Sequence, residues 1–275
     1  MFTHKDLFLA NRSELSVPNS MPDDMRQFEL AWIDRSIHKT SGESEMPSDL
    51  ANFRTMLANL IDADAADEPE TASFVATDIN LDQFRTLVQE FAVDGLTEAQ
   101  IFWPVMPRLS LAAQMPMMRM MIDEFGSGNP VRAHTNLYIN LLKELDMRTD
   151  LQYYIDVSGD AIFEFANMYY WMVLRARDTS FFVGALTYFE TMIPTFFDCY
   201  VKACERLGVQ EHAYYSEHVH IDEFHAAEGH RILRAMDKDG DFSPDNAWRG
   251  VLLGRHLTMS AFDAAVDKSR DAIAA

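Results

Sequence analysis

His218-Val-His-Ile-Asp222-Glu-Phe-His225 lies inside a long segment of apolar periodicity, and how it is read decides the fold. At about 100° per residue, a helix places Asp222 roughly 40° from His218 on one side and His225 roughly 20° from it on the other. Two imidazoles and a carboxylate therefore share one narrow stripe. Without them that stripe would be the apolar seam of the helix, with Tyr215 upstream, Ile221 within it and Ile232 downstream. Such groups are costly to bury unless they are paired or coordinated, so the stripe reads as a set of metal ligands. His220 points to the opposite face and Glu217 about 100° away, which excludes both.

Outward from this helix, apolar residues recur every three to four positions through most of the chain, and the β-branched alternation of strands is nearly absent. Glycine and proline number only 11 and 10 among 275 residues. The chain reads as an all-α bundle, with helices expected near 23–38, 48–62, 81–93, 97–125, 130–144, 159–177, 180–207, 210–236 and 244–273. Thr97 ahead of Glu98, and Asn129 ahead of Pro130, read as helix starts. The polar stretches 39–47 and 63–73 lack periodicity. Residues 1–75 are therefore expected to form an N-terminal helical arm packed on a core domain of residues 76–275.

The composition, 48% hydrophobic, is ample for a sizeable core. A formal net charge of −20 argues against nucleic acid and anionic membrane surfaces as partners, because both recruit basic patches. No run approaches the roughly 18–20 apolar residues that span a bilayer, and the first residues do not resemble a secretion signal. Cys199 and Cys204 sit more than 100° apart on an expected helix and read as reduced thiols. A cytoplasmic protein is expected.

A two-metal site needs ligands from other helices, and four candidates face the stripe. Glu190 is the only acid between Phe181 and Phe197. Glu124 and His134 flank Phe125-Gly-Ser-Gly-Asn-Pro-Val-Arg-Ala133, where glycines end one helix and Asn-Pro opens the next, so that the two can meet across the break. An acid at a helix C-terminus is disfavoured by the dipole, which argues for a special role of Glu124. Glu98 is explained equally well as a dipole-stabilised acid at a helix start. Three histidines with three or four carboxylates imply two metals. The nitrogen and oxygen donors suit non-haem iron or manganese, and the absence of cysteine argues against structural zinc.

Together, Glu124-Phe-Gly-Ser-Gly-Asn-Pro-Val-Arg-Ala-His134, the mid-helix Glu190 and His218-Val-His-Ile-Asp222-Glu-Phe-His225 resemble the haem-oxygenase-like diiron oxygenases, across roughly residues 96–236. The resemblance implies a haem-oxygenase-like helical bundle holding two iron ions (Fe2+/Fe3+), with O2 as co-substrate. Its implied ligands are Glu124, His134, Glu190, His218, Asp222 and His225. Glu98 stands where the N-oxygenating branch carries a seventh ligand, which tilts the expected reaction toward N-oxygenation of an amine or amino-acid-derived substrate in a biosynthetic pathway. A small-molecule substrate, an external electron donor and a homodimer are implied with it. The alternatives are a diiron oxidase cleaving a C–C or C–N bond of a fatty or amino acid, and a non-catalytic metal- or partner-binding helical protein.

Weaker signals read as structural. The acidic turn at 237–241 would place Trp248 at the twelfth position of a calcium loop, where a carboxylate is needed. The methionine-rich 115–121 and the aromatic 169–171 read as core. Tyr188, Glu217 and Glu223 are candidates to orient the imidazoles, and Arg119, Arg132 and Arg175 to pair a substrate carboxylate.

Overall fold

Helix punctuation in this chain is largely written in side-chain caps. A computed structural model describes residues 2–42, 44–67 and 69–271, apart from the side chains of Asp222 and Glu223. Its α-helices are α1 (His4–Ser16), α2 (Asp23–Ser41), α3 (Leu50–Ala66), α4 (Glu70–Thr77), α5 (Leu81–Gly95), α6 (Leu111–Glu124), α7 (His134–Glu144), α8 (Leu151–Val157), α9 (Asp160–Leu174), α10 (Ser180–Leu207), α11 (Ala213–Asp239) and α12 (Pro244–Asp271). No strand occurs among the described residues. Capping boxes open α1 (Thr3 with Asp6) and α5 (Asn80 with Gln83), satisfying backbone donors that the first turn leaves free. Gly208 and Gly240, both left-handed, close α10 and α11.

The centre is α10, packed most extensively on α11 and α12. Helix α6 lies on α11, α5 and α9 lie on α12, and α3 and α4 lie on α10. Helix α1 packs on α9 and α2 on α12; Leu7 and Phe8 of α1 are fully buried. Arg175, just past α9, ties these N-terminal helices to the bundle. Its guanidinium donates to Glu29, to Glu14 at 2.7 Å and to Asn11, so a buried cation is paired and hydrogen-bonded at once.

The helix expected over 97–125 is broken. Helix α5 ends at Gly95, a 3-10 helix spans Gln100–Arg108, and α6 starts afresh at Leu111. Pro104 and Pro107 remove two backbone donors and enforce the break. Thr97 is therefore not a helix start: its hydroxyl donates to the Val93 carbonyl and closes the last turn of α5. Glu98 accordingly lies between two helices, not in a first turn where the dipole would account for it. Asn129 does cap, accepting from Val131 N ahead of a short 3-10 turn, Pro130–Arg132. Helices α1, α4 and α8 were not expected; at 13, 8 and 7 residues they are too short to build a strong periodic signal.

Candidate metal centre

Five segments converge near the middle of the bundle. Glu98 comes from the link after α5, Glu124 from the C-terminus of α6, His134 from the first turn of α7, Glu190 from mid-α10, and His218 with His225 from α11. The α6–α7 break turns tightly through Gly126 (φ 61°), Ser127 (φ 54°) and Gly128 (φ 81°). A side chain at Gly126 would lie 2.6 Å from the Arg132 and Ala133 backbone, so only glycine lets the chain double back and bring His134 to Glu124. Ala99, directly after Glu98, is held at φ 59°, which costs a non-glycine residue about 1–2 kcal/mol and fixes the direction in which the link leaves Glu98.

One cluster comprises Glu98, Glu124, His134 and His218, whose candidate ligand atoms all lie within 4.8 Å of one another. Glu124 Oε2 is 2.8 Å from His134 Nδ1, and Glu98 Oε1 is 3.1 Å from His218 Nε2. His218 Nδ1 donates to the Tyr214 carbonyl at 2.5 Å. That bond places the proton on Nδ1 and turns Nε2 toward the cluster, the tautomer a metal ligand requires. A second group begins at the other oxygen of Glu124: Oε1 is 3.5 Å from His225 Nδ1, which also lies 3.2 Å from Glu190 Oε2. His225 Nε2 faces Asp123 Oδ2 at 3.7 Å.

Six of the seven sequence-derived candidates thus meet, with Glu124 common to both groups. The seventh, Asp222, has its side chain outside the described residues. His218 and His225 are buried whereas Glu217 and His220 are exposed, as the helical phase requires. Sequence reasoning passed over Asp123 and Asp94. Asp94 lies in the last turn of α5, four residues before Glu98.

The donor set fits iron. Glu98 Oε2, Glu124 Oε2 and His134 Nδ1 are buried with no hydrogen-bond partner among the described residues. Glu124 Oε2 and His134 Nδ1 are close, but not oriented as an N–H···O bond. Buried lone pairs converging in this way are costly unless they share a positive charge, and carboxylate with imidazole is the mixture that suits non-haem iron.

Electrostatics follow the same layout. Burial would raise the Glu124 pKa, yet the imidazoles of His134, His218 and His225 prevail and hold it down to about 2. Asp94 is the opposite case: burial first, then the neighbouring Glu98 and Glu124, push its carboxyl well above the usual range. Asp94 lines two cavities, so the surface it exposes faces the interior. One, of about 20 Å3, borders Glu98, Glu124, Glu190 and His218; the other, of about 50 Å3, is walled mainly by aromatic rings.

Other candidates resolve into structure. Arg119 pairs with Glu228, and Arg175 is engaged by Glu14 and Glu29. Tyr188 donates to Asp64 rather than to an imidazole. Cys199 and Cys204 are buried and are not joined in a disulfide. Met117, Met120, Met121 and Tyr169 to Trp171 are core, and Tyr169 also walls the smaller cavity.

Residues 85–259, more than half the chain, match the family described as iron-containing redox enzymes. The chain belongs to that family. No curated protein matches it. As an iron-containing redox enzyme it has the helical, haem-oxygenase-like architecture of the family, and the matched span contains Glu98, Glu124, His134, Glu190, His218 and His225. No described helix is long and apolar enough to cross a membrane.

Proposed function

We propose that this iron-containing redox enzyme is a non-haem diiron oxygenase that N-oxygenates an amine or amino-acid-derived small molecule. The observation that carries this reading is the position of Glu124, with one oxygen toward His134 and the other toward His225. A carboxylate so placed is suited to bridge two metals. Glu98, His134 and His218 would complete one half of the site, and Glu190 and His225 the other, with Asp222 as a further ligand on α11. Iron, when bound, supplies the electrons and coordination positions that activate O2.

The chain's own residues do the rest. The Tyr214 carbonyl fixes the His218 tautomer, and the carboxylates offset metal charge. Phe102, Phe165, Phe189 and Ile193 wall the adjoining cavity and exclude water. Insertion of one oxygen atom into an amine consumes O2, two electrons and two protons and releases water, so an external electron donor is part of the proposal, as are a homodimer and a biosynthetic setting. Glu98 facing His218 at 3.1 Å supports N-oxygenation over oxidative cleavage, for which six ligands suffice.

Anaerobic loading with ferrous iron, metal counting and an O2 electrode test the reading. Two irons per chain and O2 uptake, with an N-oxygenated product from an amine, are expected. A chain that binds no stoichiometric iron, or takes up no O2 once reduced and loaded, refutes it.

A further inference from the structure

The two cavities beside the cluster share Asp94, Phe165, Phe189 and Ile193 in their walls. One side borders the candidate ligands; the other is the larger space enclosed by α5, α7, α9, α10, α11 and α12. Among the described residues that line this larger space Asp94 is the only one with a carboxyl group, set among the rings of Phe91, Tyr138, Phe197, Tyr200 and Tyr214. Its carboxyl makes no hydrogen bond or ion pair among the described residues, whereas the buried acids outside the candidate ligand set, Glu29, Glu90 and Glu228, are each paired to an arginine or lysine. Two more polar atoms of the same wall, Tyr215 Oη and Thr258 Oγ1, are buried without a partner among the described residues.

A carboxyl left alone in an apolar cavity is costly, and aromatic faces around it make the pocket favourable for a cation. We propose that Asp94 is the substrate-nitrogen anchor: it pairs with the ammonium of a small alkylamine whose hydrocarbon part fills the aromatic cavity, presenting the nitrogen toward the Glu98–Glu124 side. This rests on the N-oxygenase reading for its consequence, although not for the binding itself. The volume limits the hydrocarbon. A cavity of about 150 Å3 accommodates benzene, and about 50 Å3 therefore suits a short aliphatic chain rather than a ring. Charge limits it further, since an anionic head group would face Asp94, Glu98, Glu124 and Glu190 together.

Propylamine, 1-propanol and propionate are probes of one shape and three charges. Their binding to the full chain is read by calorimetry, both metal-free and loaded with ferrous iron under anaerobic conditions. Propylamine is expected to bind about tenfold or more tighter than 1-propanol, with propionate weakest. Asp94→Asn is expected to remove the preference while leaving 1-propanol binding unchanged. Ile193→Trp, filling the space common to both cavities, is expected to weaken all binding. Equal affinity for amine and alcohol in the unaltered protein, which needs no variant, overturns the inference; so does an amine preference that survives Asp94→Asn. Failure here with two irons bound and O2 consumed sinks the Asp94 assignment and leaves the N-oxygenase reading standing. Amine binding through Asp94 in a chain that takes up no iron does the reverse.

Discussion

Glu124 Oε2 lies 2.8 Å from His134 Nδ1 across a reversal of the chain, while Oε1 of the same carboxylate faces His225. In the proposed two-iron site a shared Glu124 would make the two halves interdependent, whereas His134 would serve only one of them. Glu124→Ala is therefore expected to abolish iron retention altogether, and His134→Ala to leave about one iron per chain. Metal analysis after gel filtration reads the difference; equal residual iron in the two variants would show that Glu124 is not shared.

Glu98 differs from the other candidate ligands in its backbone. It sits on a link between helices, followed by Ala99 at φ 59°, so its carboxylate is held by chain direction rather than by helix packing. Glu98→Ala should weaken ferrous iron binding at the His218 half by about tenfold or more and remove amine oxygenation, without altering the helical circular dichroism. Undiminished oxygenation in this variant would show that Glu98 is not needed for the reaction and would remove the argument it supplies for N-oxygenation over cleavage.

The all-α class and the long helices were legible because α5, α10, α11 and α12 each present several turns of apolar periodicity. The Glu124–His134 reversal was legible too, since paired glycines followed by Asn-Pro can hardly be anything else. The break after Glu98 was not anticipated: the run from Ile101 to Leu109 is apolar enough to suggest a helix, and it took weighting Pro104 and Pro107 above that pattern to see a 3-10 link. Asp94 escaped for a different reason. An acid in the last turn of an amphipathic helix ordinarily faces water, and only the tertiary packing of Tyr138, Phe165 and Tyr214 around it shows otherwise.

Acid stability of the metal-free protein carries the signature of Glu124. Its folded pKa, about 2, lies below the 4.5 of an unperturbed glutamate. A depressed carboxylate contributes stability that is complete above about pH 4.5 and is lost as pH falls toward 2. Between those limits metal-free Glu124→Gln should lose stability less steeply than the unaltered chain, as read by urea midpoints at a series of pH values. Parallel slopes would mean that the imidazoles do not hold the carboxylate ionised.

Arg175 is structural in this fold, not a substrate contact. Removing one partner of a buried ion pair typically costs about 3–5 kcal/mol because the other charge is left uncompensated. Arg175→Leu strands Glu29, which is fully buried, together with Glu14. Reduced thermal stability with loosened protease protection of α1 and α2 is the expected outcome, while iron content per folded chain stays the same. A variant that keeps its stability but loses amine binding would return Arg175 to the substrate.

Helices α10 and α12 approach closely, and the approach depends on two glycines. A Cβ on Gly184 would stand 2.1 Å from the Ala247 carbonyl oxygen, and one on Gly250 would stand 2.0 Å from that of Phe181. Both obstacles are backbone, so neither can be relieved by a rotamer change and the helices must move apart. Overpacking of this kind costs about 1–3 kcal/mol, and here the upper end applies because rigid atoms collide. Separating α10 from α12 also widens the aromatic cavity, which both helices wall. Gly184→Ala should thus lower Tm by several degrees and, unlike Arg175→Leu, change the size preference for alkylamines toward longer chains. An unchanged Tm would indicate that the two helices do not meet backbone to backbone.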